Sequence, residues 1–319
     1  MPRMLTAAWL MALATAASLA QPAAVSRVTP SGFLLSSTGL TEQELIDALV
    51  PSVRFGNTSI YFGFLQVSAA NQDPVIAAFR DGVRLWERAD YETTGDDGRA
   101  VGILWDGRDR LYAAFTATGT QAGPDYRRFT TTGWLTSYGS GGGARAAIVL
   151  RLDPETGIPF EEGSFFRAQL STGRTNTVVV ESLAFCDNTD VLVELGSFFF
   201  PLRTDTSPMT FDGVAPSPFP YRLRMTADMS AALQAEAIGF DGTTSFSPAL
   251  TECVPPPATF DCGDADLNGD GFADGNDISL HLDRSAAQSQ AADVTADGRI
   301  DVFDLLEVIG RIEQGCDPA

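Results

Sequence analysis

Two short stretches near the C-terminus carry oxygen-bearing side chains at the spacing of a calcium-binding loop. In the first stretch, positions 1, 3, 5, 9 and 12 of the loop fall on Asp266, Asn268, Asp270, Asp274 and Asp277. Gly271 takes position 6, where a twelve-residue calcium loop turns sharply, and Phe272 at position 7 offers its backbone carbonyl. Calcium takes about six to eight oxygen ligands, so this stretch predicts one bound ion.

The same pattern recurs 27 residues further along the chain. The corresponding positions fall on Asp293, Thr295, Asp297, Asp301 and Asp304, with Gly298 at position 6 and the carbonyl of Arg299 at position 7. An acidic disordered tail is the alternative interpretation, but disorder predicts neither the shared register nor the apolar residues that follow each loop. The pair of loops therefore predicts two calcium ions.

The elements that would position these loops are short helices. Apolar residues at helical spacing follow each loop, namely Ile278 and Leu282 after the first, and Leu305, Ile309 and Ile312 after the second. A full EF-hand has a helix on both sides of its loop. Before the first loop, however, the Pro-rich residues 254–260 indicate an extended linker. The unit is therefore a loop followed by a helix, present twice.

Residues 261–317 resemble a type I dockerin, a duplicated loop–helix module whose calcium loops end in Asp at position 12. The resemblance implies a small all-α, EF-hand-like module that binds two calcium ions and docks onto a cohesin-like domain or a cell-surface scaffold. In dockerins, positions 10 and 11 of each loop help to select the partner. Here those positions are Gly275 and Asn276 in the first copy and Val302 and Phe303 in the second.

The acidic charge of the chain is concentrated in this module. The formal net charge is −20, and residues 261–319 contribute −11 of it, from fourteen acidic residues and three arginines. Binding to nucleic acid requires a basic surface, and so does adsorption to an anionic membrane. The composition therefore argues against both kinds of partner.

The N-terminus has the pattern of a secretory signal peptide. Arg3 precedes an apolar stretch, and the small residues Ser18 and Ala20 predict cleavage before Gln21. An uncleaved membrane anchor is the alternative, although the apolar stretch is short for a membrane span. We expect residues 1–20 to be removed, and the mature chain to be secreted or held at the cell surface without a membrane span.

Export makes the four cysteines candidates for disulfide bonds. Cys262 and Cys316 bracket the calcium module, and their flanking residues resemble the Cys-bounded dockerin-like tails of some secreted bacterial proteins. We expect these two cysteines to pair, which leaves Cys186 to pair with Cys253 in the main domain. Sequence alone does not exclude the other pairings.

Several kinds of catalytic site are excluded by composition. The chain has no lysine, and its single histidine, His281, falls in the first helix of the module. Residues 21–260 therefore cannot supply a Ser-His-Asp triad, a Schiff-base lysine or a His-ligated zinc site. We expect His281 to be an ordinary exposed or half-buried helix residue. Hydrolysis by a pair of carboxylates is still chemically open.

Residues 21–253 have the pattern of a mainly β domain, in which short apolar runs rich in Phe, Val and Thr alternate with turn signals. Two units, near 73–118 and 145–202, each indicate a four-stranded antiparallel meander, and their corresponding turns lie about 75–81 residues apart. Such meanders predict a two-repeat sandwich or an incomplete β-propeller, with 31–68 and 210–250 adding partial units.

Three other segments of the main domain carry local signals. The run IVLRLDPETG resembles the strand–turn segments of secreted bacterial propeller repeats, although over a dozen residues only. Residues 41–50 have the pattern of a helix. The glycine-rich residues 136–146 are expected to form a flexible link between the two repeats.

No catalytic residue is assigned in the β domain. The pairs Asp96–Asp97 and Glu161–Glu162 suggest acid–base chemistry, but neighbouring strand residues point to opposite faces, so we expect solvated turn or strand carboxylates. The tryptophans could form a sugar-stacking platform, but in meanders aromatic residues more often lie in the core. We expect the core position for Trp86, Trp105 and Trp134.

These patterns together predict an exported protein in which a calcium-binding module tethers an all-β domain whose ligand is unassigned. The alternative is a secreted carbohydrate-active hydrolase, a paired-carboxylate glycosidase acting on a polysaccharide, because dockerins often accompany such enzymes. Two carboxyl groups about 5–10 Å apart in a cleft would favour the hydrolase. A flat or side-chain-filled β surface would favour binding or a structural role.

Overall fold

The computed structural model describes residues 24–120, 123–186, 189–251, 253, 275–286 and 305. In this part of the chain the protein is mainly β, with four antiparallel sheets and a few short helices, as the sequence predicts. The predicted signal peptide and the linker 254–260 lie outside the described residues.

The strands in the described ranges are β1 (Val25–Val28), β2 (Ser52–Phe55), β3 (Thr58–Ser68), β4 (Asn71–Arg80), β5 (Val83–Arg88), β6 (Gly98–Trp105), β7 (Leu111–Ala117), β8 (Ala146–Leu152), β9 (Pro159–Phe166), β10 (Ala168–Gln169), β11 (Thr175–Asn176), β12 (Val178–Cys186), β13 (Asp190–Ser197), β14 (Phe219–Met225) and β15 (Ala232–Ala237). The helices are α1 (Glu42–Asp47), α2 (Pro248–Thr251) and α3 (Gly275–Ala286), with a 3₁₀ turn at Tyr126–Phe129. None of the helices in the described ranges has the length and apolar character needed to cross a membrane.

Three successive meanders form the domain. The first is β2–β5, the second is β6–β9 with β1 added beside β6, and the third is β12–β15, while β10 and β11 make a small ribbon. Hairpin turns set this order locally. Between β4 and β5, for example, Asp81 and Gly82 both have positive φ, which is the backbone of the two-residue turns that fit the twist of a hairpin.

The second meander is the middle layer of the domain and is buried on both faces. Ile148 lies in a core shared with the first meander, which includes Ile76. The adjacent residue Val149 points to the other face and lies in a core shared with the third meander, which includes Val193 and Leu223. This placement explains why β7 and β8 are almost entirely apolar, with Thr116 and Arg151 as the exceptions, since a strand covered on both faces has no solvated side.

The outer layers are covered in part by helices. Helix α1 places Leu45 over the outer face of the first meander, and a capping box between Thr41 and Glu44 fixes its start. The outer face of the third meander is partly covered by α2, which packs near the disulfide between Cys186 and Cys253. This disulfide is the pairing that we expect from the sequence in the main domain.

The two predicted repeat units begin at the wrong strand, although the strands that they match to each other are equivalent. The unit 73–118 takes β4 and β5 from the first meander and β6 and β7 from the second, and the unit 145–202 is divided in the same way. Yet the matched strands do occupy equivalent places, since β4 and β8 are each third and β6 and β12 are each first in their meanders. Residues 31–68 and 210–250 supply the strands that complete the first and third meanders.

Two other expectations concern the glycine-rich residues 136–146 and the predicted helix within residues 41–50. The glycine-rich residues 136–146 do not link two repeats, because they precede β8, and β7 and β8 are neighbours in one sheet. The segment is part of a long connection inside the second meander. The predicted helix within residues 41–50 is confirmed as α1.

Helix α3 begins at the last three positions of the first predicted calcium loop and continues beyond it, as the apolar spacing predicts, but its burial differs from our expectation. His281 is only 1% exposed, whereas Leu282 is 49% exposed. On a helix, residues spaced by three share a face, and so do residues spaced by four. Here Ile278 shares the more buried face with His281, three residues on, rather than with Leu282, four residues on. His281 also lies 3.3 Å from Ser285, between Nε2 and Oγ.

Candidate functional site

The predicted calcium ligands fall almost entirely outside the described residues. Eleven of the twelve predicted ligand residues lie outside the described residues. The twelfth, Asp277, is the third residue of α3, and only its backbone is described. Leu305, just after the second loop, is helical. Within the described ranges, no group of three or more His, Cys, Asp or Glu side chains is arranged to hold a metal ion.

The adjacent acidic pairs that the sequence singles out serve different purposes. Glu162 forms an ion pair with Arg151 at 2.6 Å, and Glu161 accepts a hydrogen bond from the hydroxyl of Thr131 at 2.9 Å. These two carboxylates are surface groups, as expected. Asp96 is buried instead, so the expectation that it is solvated is wrong.

The three tryptophans of the described residues lie in or against the core. Trp86 and Trp105 are buried between the first and second meanders, which confirms the expectation. Trp134 is partly buried against the core of the second and third meanders, and its indole nitrogen donates to the carbonyl of Thr204 at 2.8 Å. The three rings therefore do not form a sugar-stacking platform.

A cleft of about 320 Å³ lies where β1 passes beside the hairpin β12–β13. Its walls combine apolar residues with two hydroxyls and two carboxylates. The lining residues are Ser26, Val28, Glu181, Ser182, Leu183, Ala184, Leu192 and Glu194. The two glutamates make this cleft the candidate site with the clearest chemistry.

A β-bulge positions Glu181 at the cleft. The pairing between β12 and β13 shifts between Val180 and Ser182, so Glu181 has no partner residue across the ladder. A bulge of this kind redirects the side chain that it carries. The side chain runs along β13 to Gly196, where a Cβ would lie 2.5 Å from Oε1 of Glu181. Glycine at that position is what leaves room for the carboxyl group.

Glu194 has a different environment from Glu181. Its carboxylate accepts a hydrogen bond from the Ser182 hydroxyl at 2.7 Å and forms an ion pair with Arg222 of β14 at 2.6 Å. Partial burial raises the pKa of Glu181, and the negative charge of Glu194 raises it further. The cleft thus holds one carboxylate compensated by arginine and one carboxyl group that retains its proton to higher pH. Such a difference between two carboxyls is how acid and base roles are separated in hydrolases.

The sequence analysis missed both glutamates. Glu181 and Ser182 are consecutive polar residues in an otherwise apolar strand, and this break in alternation is the signal that could have revealed the bulge. Nothing local marks Glu194, because Arg222 comes 28 residues later and meets it only through the sheet register.

A second concave surface is purely aromatic. It has a volume of about 200 Å³ and lies at the end of the third meander opposite the disulfide. Three of the rings are exposed, and the other three pack edge to face, with Phe240 against both Phe200 and Phe219. The exposed ring of Phe211 is tilted against Phe219. The six lining residues are Phe198, Phe199, Phe200, Phe211, Phe219 and Phe240.

Comparisons of the chain with protein-family models, with curated proteins and with solved structures found no match. Function must therefore be inferred from the two predicted calcium loops of the sequence and from the side-chain chemistry of the described residues.

Proposed function

We propose that this protein is exported and that its C-terminal module, residues 261–317, binds two calcium ions and tethers the β domain to a cohesin-like domain or a cell-surface scaffold. The observation that carries the proposal is the register of the two loops, with oxygen side chains at five matching positions and glycine at position 6 in both. The start of α3 at Gly275, position 10 of the first loop, supports it. The disulfide of the β domain suits an oxidising compartment outside the cytosol.

The β domain would be the cargo of this tether. Its three layers bury both faces of the middle sheet, so the domain has a large core that does not depend on the module. Calcium would act on the module alone, because its charge would offset the repulsion between the clustered aspartates.

The test is calcium titration of the full chain by calorimetry. We expect two sites per chain, and we expect Asp277→Ala combined with Asp304→Ala to remove both. Glu307→Ala is the matched control, because it removes an acidic residue of the same module that is not a predicted ligand. Retention of both sites in the double variant would contradict the proposal.

Tethering itself needs a second measurement. The immobilised protein should retain a cohesin-like or surface partner from the exported fraction in calcium and release it in chelator. The Asp277→Ala, Asp304→Ala variant should retain nothing under either condition. Equal retention by this variant in calcium would show that the module does not mediate attachment.

A second candidate function, glycoside hydrolysis on a polysaccharide, is favoured by the cleft that holds Glu181 and Glu194. Glu181 would donate a proton to the leaving oxygen, and Glu194 would act as the base or nucleophile. The test is release of reducing ends from a panel of polysaccharides. Glu181→Gln and Glu194→Gln should each abolish release, whereas Glu161→Gln, a surface carboxylate outside the cleft, should not. No release by the wild-type chain would remove this candidate.

A further inference from the structure

The concave surface lined by six phenylalanines, which we call the phenylalanine pocket, keeps three of its rings in contact with water. Phe198, Phe199 and Phe211 are 40%, 44% and 42% exposed, whereas Phe240 beneath them is 1% exposed. Single exposed apolar side chains are ordinary on a protein surface. Exposed rings that line one concave surface are a different case, because a contiguous apolar patch on a soluble protein is often functional.

Hydrogen bonds hold the run Phe198–Phe200 in this exposed arrangement. The backbone nitrogen of the first residue donates to the carbonyl of Thr177 at 3.1 Å. The carbonyl of the second residue accepts from the hydroxyl of Ser197 at 2.9 Å, and the carbonyl of the third accepts from the backbone nitrogen of Gln169 at 2.9 Å. Each residue of the run is thus fixed through its own backbone, so the pocket does not need a ligand in order to form.

The size and the lining of the pocket select its ligand. The volume is about 200 Å³, and every lining residue is phenylalanine. An apolar cavity of about 150 Å³ already holds benzene, so the phenylalanine pocket has room for one ring with a short substituent. Phenylalanine side chains offer no hydrogen bond, so a ligand that buried a polar or charged group among them would lose its hydrogen bonds to water without replacement.

The packing of the lining rings favours an aromatic ligand over an aliphatic one. Phe240 meets Phe219 edge to face at a centroid distance of 4.9 Å, and Phe211 is tilted against Phe240 at 5.2 Å. Phenyl rings attract one another in such arrangements because the positive edge of one ring meets the negative face of another. An aromatic ligand can extend this arrangement, whereas an aliphatic ligand gains only from its removal from water.

A second copy of the chain does not suit the pocket, because the exposed apolar area is too small. A phenylalanine side chain offers about 200 Å², so three rings exposed by about two fifths offer roughly 250 Å². A stable protein interface buries about 800 Å² on each partner. The area therefore suits a small molecule better than a protein surface.

The predicted linker of the same chain is too short to occupy the pocket. Residues 254–260 follow Cys253, which is bonded to Cys186 at one end of β12, and seven residues span at most about 25 Å. The nine residues of β12 span about 26 Å, and the pocket lies beyond the other end of this strand. The linker therefore ends short of the pocket even when it is fully extended.

We propose that the phenylalanine pocket binds the ring of a small, uncharged aromatic compound. The ring would lie over Phe240 and be enclosed by the three exposed rings, with any polar substituent directed towards water. The pocket shares no lining residue with the cleft that holds Glu181 and Glu194, so this inference is independent of the hydrolase candidate and of the predicted calcium loops.

Ligand-observed NMR of the full chain, by saturation transfer, tests the proposal with a matched pair of probes. Benzyl alcohol and cyclohexylmethanol have the same number of non-hydrogen atoms and the same hydroxyl group, but only benzyl alcohol has an aromatic ring. We expect benzyl alcohol to bind with a roughly millimolar dissociation constant, as suits so small a ligand. Cyclohexylmethanol should bind about three- to tenfold more weakly, because it lacks the attraction between rings.

Variants of exposed rings locate the binding site. Phe199→Ala and Phe211→Ala should each weaken the binding of benzyl alcohol by roughly tenfold, since each removes one wall of the pocket. Phe160→Ala is the matched control, because Phe160 is also 40% exposed but lies on β9 outside the pocket. Urea unfolding checks that each variant is folded.

Three results would overturn the proposal. Benzyl alcohol may fail to bind, or it may bind no more tightly than cyclohexylmethanol. Both pocket variants may also bind benzyl alcohol as tightly as Phe160→Ala does, as they would if the probe adsorbed to any exposed ring.

Discussion

The burial of the middle sheet on both faces leads to a quantitative prediction about two adjacent residues of β8. Ile148 faces the first meander and Val149 faces the third, and both are fully buried. In a sheet with one solvated face, only one of two neighbouring residues would be important for stability. Here, truncation of either one should leave a cavity in a packed core.

The expected costs follow from the size of the groups removed. Ile148→Ala removes three carbon atoms and should lower the free energy of unfolding by about 3–4 kcal/mol, since such core truncations cost about 2–5 kcal/mol. Val149→Ala removes two carbon atoms and should cost about 2 kcal/mol, at roughly 0.8 kcal/mol per buried carbon plus a cavity contribution. Val83→Ala is the control, because Val83 is 67% exposed and its truncation should cost less than about 0.5 kcal/mol.

Urea unfolding at fixed calcium, followed by the fluorescence of the buried tryptophans, measures these differences. The midpoint should move for both β8 variants while the dependence on urea concentration stays the same. A cost below about 1 kcal/mol for either Ile148→Ala or Val149→Ala would refute the three-layer arrangement, because one face of the middle sheet would then have to be accessible to water.

Three further predictions concern ionisation, the disulfide and the cleft. In chelator, Glu92→Gln should be more stable than the wild type at neutral pH and equal to it in acid. The pKa of Glu92 is raised in the folded protein, so wild-type stability is greatest below the pKa that Glu92 has in the unfolded chain and falls as pH rises through its pKa in the folded protein. Urea unfolding across this pH range measures the difference in stability between the variant and the wild type. A difference that is constant with pH would contradict the prediction. Replacing Cys186 and Cys253 by serine should lower the free energy of unfolding by about 4 kcal/mol, the chain-entropy estimate for a closed loop of 67 residues, and an unchanged urea midpoint would contradict this value. Gly196→Ala should displace the Glu181 carboxyl from its position beside Glu194 and lower its pKa, which carboxyl NMR titration would detect as a shift to lower pH, whereas an unmoved titration would contradict the described geometry.

The strands of the domain could be predicted from the sequence because their signals are local. The apolar run of β7 and the Asp81–Gly82 turn need no knowledge of the rest of the chain. The grouping of strands into sheets could not be predicted in this way. The connection between β5 and β6 separates two sheets, whereas the longer one between β7 and β8 stays within one sheet, so loop length does not identify the boundary.

The candidate site depended still more on tertiary structure. The chemistry of Glu194 is set by Arg222, which reaches it only through the register of β13 with β14. Glu92 lies in a polar segment that reads as a solvated turn, yet it is buried because the first meander packs over the start of β6. Charge and spacing in the sequence identify carboxylates, but they do not show which of them are removed from water.

The Cys186–Cys253 disulfide also has a mechanical consequence. If the protein is held by its C-terminal module, any load on the β domain enters the chain just after Cys253. The disulfide passes that load directly to Cys186, the last residue of β12. The strands β13, β14 and β15 lie inside the covalent loop that this bond closes, so tension bypasses them and they cannot be peeled from the sheet one at a time from the C-terminal end. With the disulfide intact, a shearing load on β12 must break all of the hydrogen bonds between β12 and β13 together. If the disulfide is reduced, the same load falls on β15, the edge strand of its sheet.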